Sequence, residues 1–471
     1  MYKSPQLDFN IEAGEKTSLS EILGAFSYAL DLTEGQPAGH SIRACWIGTK
    51  LAQAIGLNDA ELHDVYYAVL LKDLGCSVNA ARVSQMFVGN DRQLKHAFKL
   101  IGPDPEHFRE FIMTKVGVDV DTGVRDAAVT ILLANAGAIM GGIMDARCTR
   151  GAAIARQLRF SDDVAQAIAH LDEHWDGSGL PLGIAGEAIH IGGRIAQLAQ
   201  IVDVFFIAGG RTAAIAEVMR RSGSWLDPKL ADTFLRLANS SVFWTALESD
   251  NIAQDLFALE PATLRVEVDD DYLDDIAAAF GQVIDAKSPY TSGHSERVGF
   301  YADAIGEQLE LDAPIRRRLR RAAMLHDVGK LGVSSAILEK PGPLSSDERR
   351  EMRKHAEHTT HILSQIGVMH DMALIAGSHH ERLDGKGYPL GLDALSISRE
   401  ARIITVADIF DALTADRPYR AALPVDQALH VMAGEVGSAI DPLCFYALQM
   451  VLDKGLAGKS ATRSVAALSL N

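Results

Sequence analysis

The chain contains one sequence pattern twice, and this duplication limits the possible folds more than any other feature. The segment EILGAFSYALDLTEGQPAGHSIR (21–43) aligns without a gap to DIAAAFGQVIDAKSPYTSGHSER (275–297). The same offset of 254 residues relates LLKDLGC (70–76) to MLHDVGK (324–330). Similarity that is held at a constant offset over about fifty residues indicates a duplicated folding unit.

The two copies differ in length between their shared motifs. Lys72 to Leu171 spans 99 residues, whereas the matching stretch from His326 to His379 spans 53. The first copy therefore carries about 46 extra residues, mostly between positions 77 and 147. Apolar residues recur at helical spacing and period-two alternation is nearly absent, so we predict an all-α protein made of tandem helical bundles. The predicted organisation is a first copy at 1–250, an acidic linker at 251–271, a second copy at 272–450 and a C-terminal tail at 451–471.

Composition narrows the class of protein. With 471 residues, of which 48% are hydrophobic and 23% charged, the chain is typical of a soluble protein with more than one core. Its formal net charge of -17 argues against DNA binding and against attachment to an anionic membrane. The cysteines are scattered and form no CxxC pair, which is typical of free thiols in a cytoplasmic protein. They are Cys45, Cys76, Cys148 and Cys444.

One segment approaches the length of a membrane span. Ala127–Met144 contains 18 residues without a charge, close to the minimum for crossing a bilayer. Only eight of its positions are strongly apolar, and alanine and glycine supply most of the others. We therefore predict a buried helix that packs through its small residues, and no membrane insertion.

The second copy carries seven side chains suited to metal binding. Imidazole and carboxylate ligands favour first-row divalent ions such as iron, manganese or zinc. An aspartate next to a histidine can bridge two ions while the histidine occupies a terminal position. A single residue of this kind is more often part of an ordinary hydrogen-bonded pair, but the complete set indicates a metal site. The set is His294, His326, Asp327, His355, His379, His380 and Asp408.

Lys330 follows His326 by four residues, so the two side chains would share one face of a helix. An ammonium group beside the metal ligands would attract an anionic phosphoryl group. We assign catalytic roles to Lys330 and Asp327. Asp411 lies one turn after Asp408, and it either supports a ligand or is an ordinary helix carboxylate.

Three segments of the second copy together resemble the HD-GYP family of cyclic-dinucleotide phosphodiesterases. They are HDVGK, HHERLDGKGYPLGL and ARIITVADIFDALTADRPYR, and the similarity extends from about Tyr272 to Phe445. A bare HD motif would also be compatible with nucleotidases and other phosphohydrolases, but the long DGKGYP motif argues against most of these enzymes. The resemblance implies an α-helical HD fold, a metal cluster at the seven positions, and hydrolysis of cyclic di-GMP to the linear dinucleotide or to GMP in bacterial signalling.

The resemblance also implies roles for residues around the cluster. Arg417 and Arg420 of the DRPYR segment would bind the substrate together with Lys330. The loop of Gly387, Tyr388 and Pro389 would contact a partner protein such as a diguanylate cyclase. A homodimer is a further expectation.

The number of metal ions follows from one departure from the family pattern. Some members place a glutamate four residues before the first histidine, where it binds a third ion. This chain has Tyr290 at that position, so we expect two divalent ions. Two ions can activate a bridging water and hold a phosphodiester for in-line attack, without a serine or cysteine nucleophile.

The first copy has lost most of these ligand positions. Only His40 and Asp73 match the ligands of the second copy, and positively charged substitutes would repel a cation. We therefore expect the first copy to be metal-free and to serve either packing and dimerisation or regulation. The substituted positions are Lys72, Arg147, Leu171, Asp172 and Gln200, with Leu180 in place of Tyr388.

Two other functions stay open at the level of the sequence. A hybrid cyclic GMP-AMP substrate is the alternative within the same class, because no residue visibly selects the second base. A non-catalytic cyclic-dinucleotide receptor or scaffold is the alternative from another class. The complete ligand set argues against a receptor, which has no need to retain every metal position.

Overall fold

A computed structural model describes residues 18–102, 104–416 and 420–455. The chain divides into two compact units. The first unit comprises Met1–Asp269 with Ser334–Ala336, and the second comprises Asp270–Val333 with Ile337–Asn471. The predicted all-α class is confirmed, since β-pairing within the described ranges is limited to isolated bridges. Arg417 and most of the predicted C-terminal tail lie outside the described residues.

The first unit opens with a capping box. The Ser18 hydroxyl accepts a hydrogen bond from the Glu21 amide, and the Glu21 carboxylate accepts one from the Ser18 amide. Its two longest helices contain non-helical residues, at Asn135 and at Gly209 with Gly210. The α-helices are Leu19–Thr33, His40–Ala54, Asp59–Leu70, Ala80–Met86, Asp91–Lys99, Pro105–Lys115, Thr122–Gln157, Asp162–Ala169, Ile191–Arg221, Pro228–Leu237, Ser241–Leu247 and Ile252–Phe257, and the 3₁₀-helices are Cys76–Asn79, Gly186–Ala188 and Ala262–Leu264.

The second unit is built from a similar series of helices. It begins at Asp270, so the segment predicted as an acidic linker contains the last short α-helix of the first unit. The α-helices from this point are Asp270–Asp285, His294–Gln308, Ala313–Leu325, Ser335–Leu338, Ser346–Ser364, His370–Gly377, Arg399–Thr414, Val425–Ala433 and Pro442–Asp453, and the 3₁₀-helices are Val328–Gly332 and Gly367–Met369.

The sequence repeat corresponds to a repeated arrangement inside each unit. In the first unit, the helix that begins at His40 packs against Ile191–Arg221. In the second unit, the helix that begins at His294 packs against Arg399–Thr414. Both histidines are therefore the first residue of a buried helix that faces a second long helix.

The extra residues of the first copy form a small hydrophobic core of their own. It joins the helices Asp91–Lys99 and Pro105–Lys115 to the first half of Thr122–Gln157. Its buried members are Val83, Phe87, Leu94, Phe111, Ile112, Val116, Ala128, Leu132, Ile139 and Ile143. We call this cluster the satellite core, because it is smaller than the main core of the unit.

The helix Thr122–Gln157 is the one helix among the described residues that is long and apolar enough to cross a membrane, judged by length and composition. We predicted that its segment Ala127–Met144 is buried, and this expectation is wrong because only 28% of the apolar window is buried. The buried positions form a stripe along one face, towards the satellite core: Ala128, Leu132, Ile139 and Ile143.

Candidate metal centre

The seven side chains predicted as metal ligands meet at one place in the second unit. They form overlapping groups of three, and within each group the candidate ligand atoms lie within 4.8 Å of one another. The groups are His355 with His379 and His380, His294 with His326 and Asp327, and His326 with His379 and Asp408.

The Asp327 carboxylate lies between two sets of imidazoles. Its Oδ1 atom is 3.5 Å from Nε2 of His355 and 3.7 Å from Nε2 of His379. Its Oδ2 atom is 3.2 Å from Nε2 of His326 and 3.6 Å from Nε2 of His294. One carboxylate therefore lies within 4 Å of imidazoles on both of its sides.

Backbone carbonyls fix the tautomers of three of the histidines. His326, His355 and His379 each direct Nδ1 at the carbonyl oxygen three residues earlier, over 2.6, 2.5 and 2.6 Å. A carbonyl can only accept, so Nδ1 carries the proton in all three rings. The lone pair on each Nε2 consequently faces the centre, as a metal ligand requires.

His294 is oriented by a carboxylate and an arginine instead. Its Nδ1 atom is 2.7 Å from Oδ2 of Asp411, and the Arg297 guanidinium donates to the same carboxylate over 2.5 and 3.0 Å. Asp411 was expected either to support a metal ligand or to be an ordinary helix carboxylate. The structure favours the first alternative, because Asp411 orients the His294 ring. The role of Arg297 was missed, although the recurrence of GHSxR in both copies was a usable signal.

Several buried atoms of the centre make no hydrogen bond to any described residue. They are Nε2 of His294, Nε2 of His326 and Oδ1 of Asp327. In addition, Nε2 of His355 faces Nε2 of His379 at 3.5 Å, and both are acceptors in the tautomers fixed above. Buried acceptors without donors are costly in free energy, and a bound cation satisfies all of them together. The residues present therefore fit metal ions.

The pKa values of the imidazoles differ across the centre. Burial opposes protonation of His326, but Asp327 and Asp408 raise the pKa of that ring to about 10. At two other rings burial prevails: it lowers the pKa of His355 to about 4 and, together with the neighbouring His355, the pKa of His380 to about 3. Both rings are therefore neutral at neutral pH, the form in which histidine ligates metals. Burial opposes ionisation of Asp327, but His326 and Lys330 hold the pKa of that carboxyl well below its usual range.

The chain around the HD motif differs from the predicted continuous helix. The helix Ala313–Leu325 ends just before His326, and Lys330 lies in the 3₁₀-helix Val328–Gly332. Lys330 still reaches the centre, where its Nζ donates to Oδ2 of Asp327 over 2.5 Å. Its side chain is 22% exposed, so the ammonium also faces solvent at the edge of the site.

Gly329 allows the helix that carries His355 to approach. A Cβ atom on Gly329 would lie 1.9 Å from the carbonyl oxygen of His355, and the matching Gly75 has the same relation to Arg147. No side chain can be accommodated at that distance, so the glycine of the HDVGK motif is required by packing next to the ligands.

The loop of Gly387, Tyr388 and Pro389 is folded onto the metal centre. The Tyr388 ring stacks on His380 with centroids 4.7 Å apart, and the Arg353 guanidinium lies 4.9 Å from the Tyr388 centroid. The loop is anchored because the Glu381 carboxylate accepts the amides of residues 390, 391 and 392 over 2.6, 3.1 and 2.8 Å. Glu381 was not singled out from the sequence, although Glu173 repeats it in the first copy.

The two arginines predicted to bind substrate are less clearly placed. Arg417 lies outside the described residues. The Arg420 guanidinium donates to the carbonyl oxygens of Ala412, Leu413 and Ala421 over 2.8, 2.8 and 3.0 Å. Two of these bonds join Arg420 to the end of the helix Arg399–Thr414.

The corresponding place in the first unit contains a network of ion pairs. The Lys72 ammonium donates to Nε2 of His40 over 3.0 Å and to the Asp73 carboxylate. Arg147 is 3.1 Å from Asp73 and 2.7 Å from Asp172. Three of the substituted residues, Lys72, Arg147 and Asp172, thus take part in this network, and two basic side chains contact the Asp73 carboxylate that matches Asp327.

Comparison with known proteins gives consistent similarities. The HD domain family matches residues 143–230 and 279–443. The chain is 46% identical over 435 residues to 3′3′-cGAMP-specific phosphodiesterase 3 of Vibrio cholerae serotype O1, covering 92% of this chain and 95% of that protein. It is 37% identical over 218 residues to the cyclic di-GMP phosphodiesterase response regulator RpfG of Xanthomonas campestris, covering 45% of this chain and 57% of that protein. The crystal structure of a cyclic GMP-AMP specific phosphodiesterase of V. cholerae matches with a TM-score of 0.64 and 43% identity, over 93% of this chain and 98% of that one.

Proposed function

Since this chain belongs to the HD-GYP family of cyclic-dinucleotide phosphodiesterases, built on the HD domain, we propose that its preferred substrate is 3′3′-cyclic GMP-AMP. The predicted enzyme class, a phosphodiesterase for cyclic dinucleotides, is confirmed by the family and its relatives. The observation that carries the choice of substrate is the 46% identity that extends over 95% of a cGAMP-specific relative, including the duplicated unit. The sequence alone favoured cyclic di-GMP, which is now the second candidate. It is supported by a relative that matches 45% of this chain.

HD-domain phosphohydrolases depend on metal ions, and for this chain we infer a pair of them. The position of the Asp327 carboxylate between two imidazole groups supports two ions, and Tyr290 offers no carboxylate for a third. His355, His379 and His380 would hold one ion, and His294 with His326 would hold the other, with Asp408 beside the second group. When bound, such ions activate a water molecule and withdraw charge from the phosphodiester. Iron, manganese and zinc all suit these ligands.

The surrounding residues orient the ligands and attract the substrate. The backbone carbonyls and Asp411 hold the imidazoles with Nε2 towards the centre. The partly exposed Lys330 ammonium is placed to bind a non-bridging phosphate oxygen next to Asp327. Arg417 remains the predicted substrate-binding arginine. We propose that Arg420 acts on binding indirectly, through its hydrogen bonds to the end of the helix Arg399–Thr414.

Other predictions about partners and location are carried forward as proposals. We propose that the loop of Gly387, Tyr388 and Pro389 contacts a diguanylate cyclase through its outer side, since Tyr388 itself faces His380. A homodimer and a cytoplasmic location are likewise proposed. The four cysteines are buried thiols, as expected for a reducing compartment.

The proposed function is tested by turnover of several substrates on one preparation. Purified full-length protein is loaded anaerobically with Fe²⁺ or Mn²⁺ and incubated with 3′3′-cyclic GMP-AMP, cyclic di-GMP and cyclic di-AMP, and the products are separated by chromatography. We expect the linear dinucleotide as the first product, with kcat/KM for cyclic GMP-AMP at least about tenfold above that for cyclic di-GMP, a difference of about 1.4 kcal/mol in the transition state. The His326→Ala variant, prepared in the same way, controls for contaminating activity. Faster turnover of cyclic di-GMP would select the second candidate, and binding without turnover of any nucleotide would favour the receptor.

A further inference from the structure

We propose that the first unit binds a small amphipathic carboxylate, of the chemical class of a medium-chain fatty acid, in a partly open cavity. The cavity has a volume of about 320 Å³ and lies between the extra residues of the first copy and its main helical bundle. This volume is at the lower end of the range for small-molecule sites, roughly 300–1,000 Å³. The site is separate from the metal centre and does not rest on the substrate proposed above.

One side of the cavity is apolar and aromatic. Phe98, Phe108 and Phe111 line it, with centroids separated by 5.9 to 6.3 Å. Met140 and Ile143, from the helix Thr122–Gln157, extend the same wall. All five residues belong to the segment that the second copy lacks. The insertion therefore supplies an apolar wall from residues that the second copy lacks. Such a wall can contact the hydrocarbon chain of a ligand.

The opposite side of the cavity is charged. The Lys99 side chain is 7% exposed and lines the cavity, and its Nζ makes no hydrogen bond to any described residue. It is held by charge alone, 3.1 Å from the Glu34 carboxylate and 3.6 Å from that of Asp73. An ammonium has three protons to donate, so Lys99 can give a charge-assisted hydrogen bond to a ligand oxygen.

The charged side chains at this side suit an anionic head group. Lys99 shares the Glu34 carboxylate with Lys95, and Arg147 contacts the carboxylates of Asp73 and Asp172. Lys99 is therefore placed to donate to a ligand with a single negative charge.

Two further charged side chains line the cavity. Arg221 is paired with Glu217, and its guanidinium lies 4.0 Å from the Trp225 centroid. Asp104 is 69% exposed and is therefore solvated. A cationic ligand would face the Lys99 ammonium. A cyclic dinucleotide would bring two negative charges to a side that already holds the Glu34 and Asp172 carboxylates, so we assign the cavity to an apolar monoanion.

The chemistry of the ligand is tested by calorimetry on the full-length protein with probes of defined length and charge. Octanoate, decanoate and dodecanoate are titrated, with decanol as the uncharged control and decylamine as the cationic control. We expect saturable binding of one decanoate per chain, affinity for decanol weaker by about tenfold or more (about 1.4 kcal/mol), and no binding of decylamine. The proposal is overturned if none of the three acids binds saturably, or if decanol binds as tightly as decanoate.

Variants place the binding in the cavity. Met140→Trp fills the apolar end without touching the ion pairs, and we expect it to reduce decanoate affinity by more than about tenfold. Lys99→Met removes the charge and should reduce the preference for decanoate over decanol; if that variant does not fold, Met140→Trp and the comparison of probes on the wild type decide the question. His326→Ala, in the other unit, should bind decanoate like the wild type. Unchanged affinity in Met140→Trp, or displacement of decanoate by a cyclic dinucleotide, would contradict the assignment.

Discussion

The two units hold the same arrangement of histidine, aspartate and arginine next to sites that differ in their other side chains. In the first unit, Nδ1 of His40 is 2.7 Å from Asp203, which also accepts hydrogen bonds from Arg43. In the second unit, Nδ1 of His294 is 2.7 Å from Asp411, which accepts from Arg297. The outer support of the site has thus been kept in both copies, while the groups inside it differ.

The difference inside is that the first unit supplies its own cation. The Lys72 ammonium donates to Nε2 of His40 and to Asp73, whereas Nε2 of His294 and Oδ1 of Asp327 find no donor among the described residues. A buried carboxylate and the lone pair of a histidine need positive charge whether or not chemistry takes place. A copy that loses its metal can therefore stay folded if a lysine enters the place of the ion.

One group in the first unit still resembles a metal site by geometry. Glu34, Asp73 and Cys76 bring candidate ligand atoms within 4.8 Å of one another. However, Glu34 is paired with Lys95 and Lys99, and burial raises the pKa of the Cys76 thiol well above its usual range. A protonated thiol and neutralised carboxylates are poor ligands, so the prediction that the first unit is metal-free stands as a prediction.

The largest expected effect is the loss of turnover when the candidate site of the second unit is altered, compared with the same position in the first unit. His326→Ala and Asp327→Ala should each lower kcat for the cyclic dinucleotide by at least about 10³-fold, because they remove ligands shared between the two groups of the centre. Gln200→Ala, at the position that corresponds to Asp408, should stay within about twofold of the wild type. Steady-state kinetics with metal content measured on the same samples, and circular dichroism for folding, make the comparison. Retained turnover in the first two variants would refute the assigned centre.

The next prediction compares the effect of Lys72 on the stability of the first unit with the effect of metal on the stability of the second. Lys72→Met leaves Nε2 of His40 without a donor and removes a buried charge from Asp73, so we expect the first unit to lose about 3 kcal/mol of unfolding free energy. Removal of metal with a chelator should destabilise the second unit instead, because its ligands would then face each other unsatisfied.

Differential scanning calorimetry on the full-length protein distinguishes the two events. The transition lowered by Lys72→Met should be unaffected by chelation, and the transition lowered by chelation should be unaffected by Lys72→Met. A shift of the same transition in both experiments would show that the lysine and the metal do not replace each other in separate units.

A smaller effect concerns the support shared by both copies. Asp411→Asn should weaken metal binding by about 10- to 100-fold, because an asparagine cannot hold the His294 ring through a charged hydrogen bond. Asp203→Asn is the matched change in the first unit and should leave the metal content and affinity unchanged. Competition with a chelator of known affinity measures the difference. Equal losses in the two variants would mean that the aspartate acts on folding and not on the ligand.

The sequence allowed the all-α fold and the duplication to be predicted because both depend on periodicity and internal similarity. It also located the altered positions of the first copy, and Lys72 and Arg147 do lie beside Asp73. The sequence predicted that His326 and Lys330 share one face of an α-helix. This geometry was wrong, because a 3₁₀-helix follows the HD motif. Residue spacing alone does not distinguish the two helix types over so short a segment.

Features that depend on tertiary contacts were harder to predict. The pair Arg297–Asp411 joins residues far apart in the chain, and only the folded unit shows that they meet at His294. The helix Thr122–Gln157 was expected to be buried because its segment is uncharged, but alanine and glycine permit burial without requiring it. The cavity beside Lys99 arises from the packing of the insertion, for which the second copy offered no template.

The last expected effect depends on pH and uses a buried carboxyl that both copies share. Oδ1 of Asp31 accepts from the amide and hydroxyl of Ser41, while Oδ2 makes no hydrogen bond to a described residue. Burial raises the pKa of Asp31 from an ordinary value of 3.8 to about 7. A raised pKa means that the stability from the neutral form is fully present below pH 3.8 and is lost as the pH rises through about 7. Asp31→Asn, which is neutral at every pH, should therefore stabilise the first unit at pH 8 by on the order of 2–4 kcal/mol and have little effect near pH 4.

Other titrating groups do not disturb this comparison, because it is made between two proteins that share them. Burial lowers the pKa of His40 to about 4, so His40 loses stabilising free energy as the pH falls below its ordinary value of 6.5, a slope of the opposite sign. Wild type and Asp31→Asn share this contribution of His40, so the difference between their melting temperatures, measured from pH 5 to pH 8, isolates the effect of Asp31.

Asp285→Asn is the matched variant in the second unit. Burial raises the pKa of Asp285 only to about 6, and the Ser295 amide lies within hydrogen-bond distance of both oxygens of its carboxylate. At pH 8, Asp285→Asn should therefore stabilise the second unit less than Asp31→Asn stabilises the first. If Asp285→Asn gave the larger gain in melting temperature, the missing hydrogen bond at Oδ2 of Asp31 would not explain the difference between the copies.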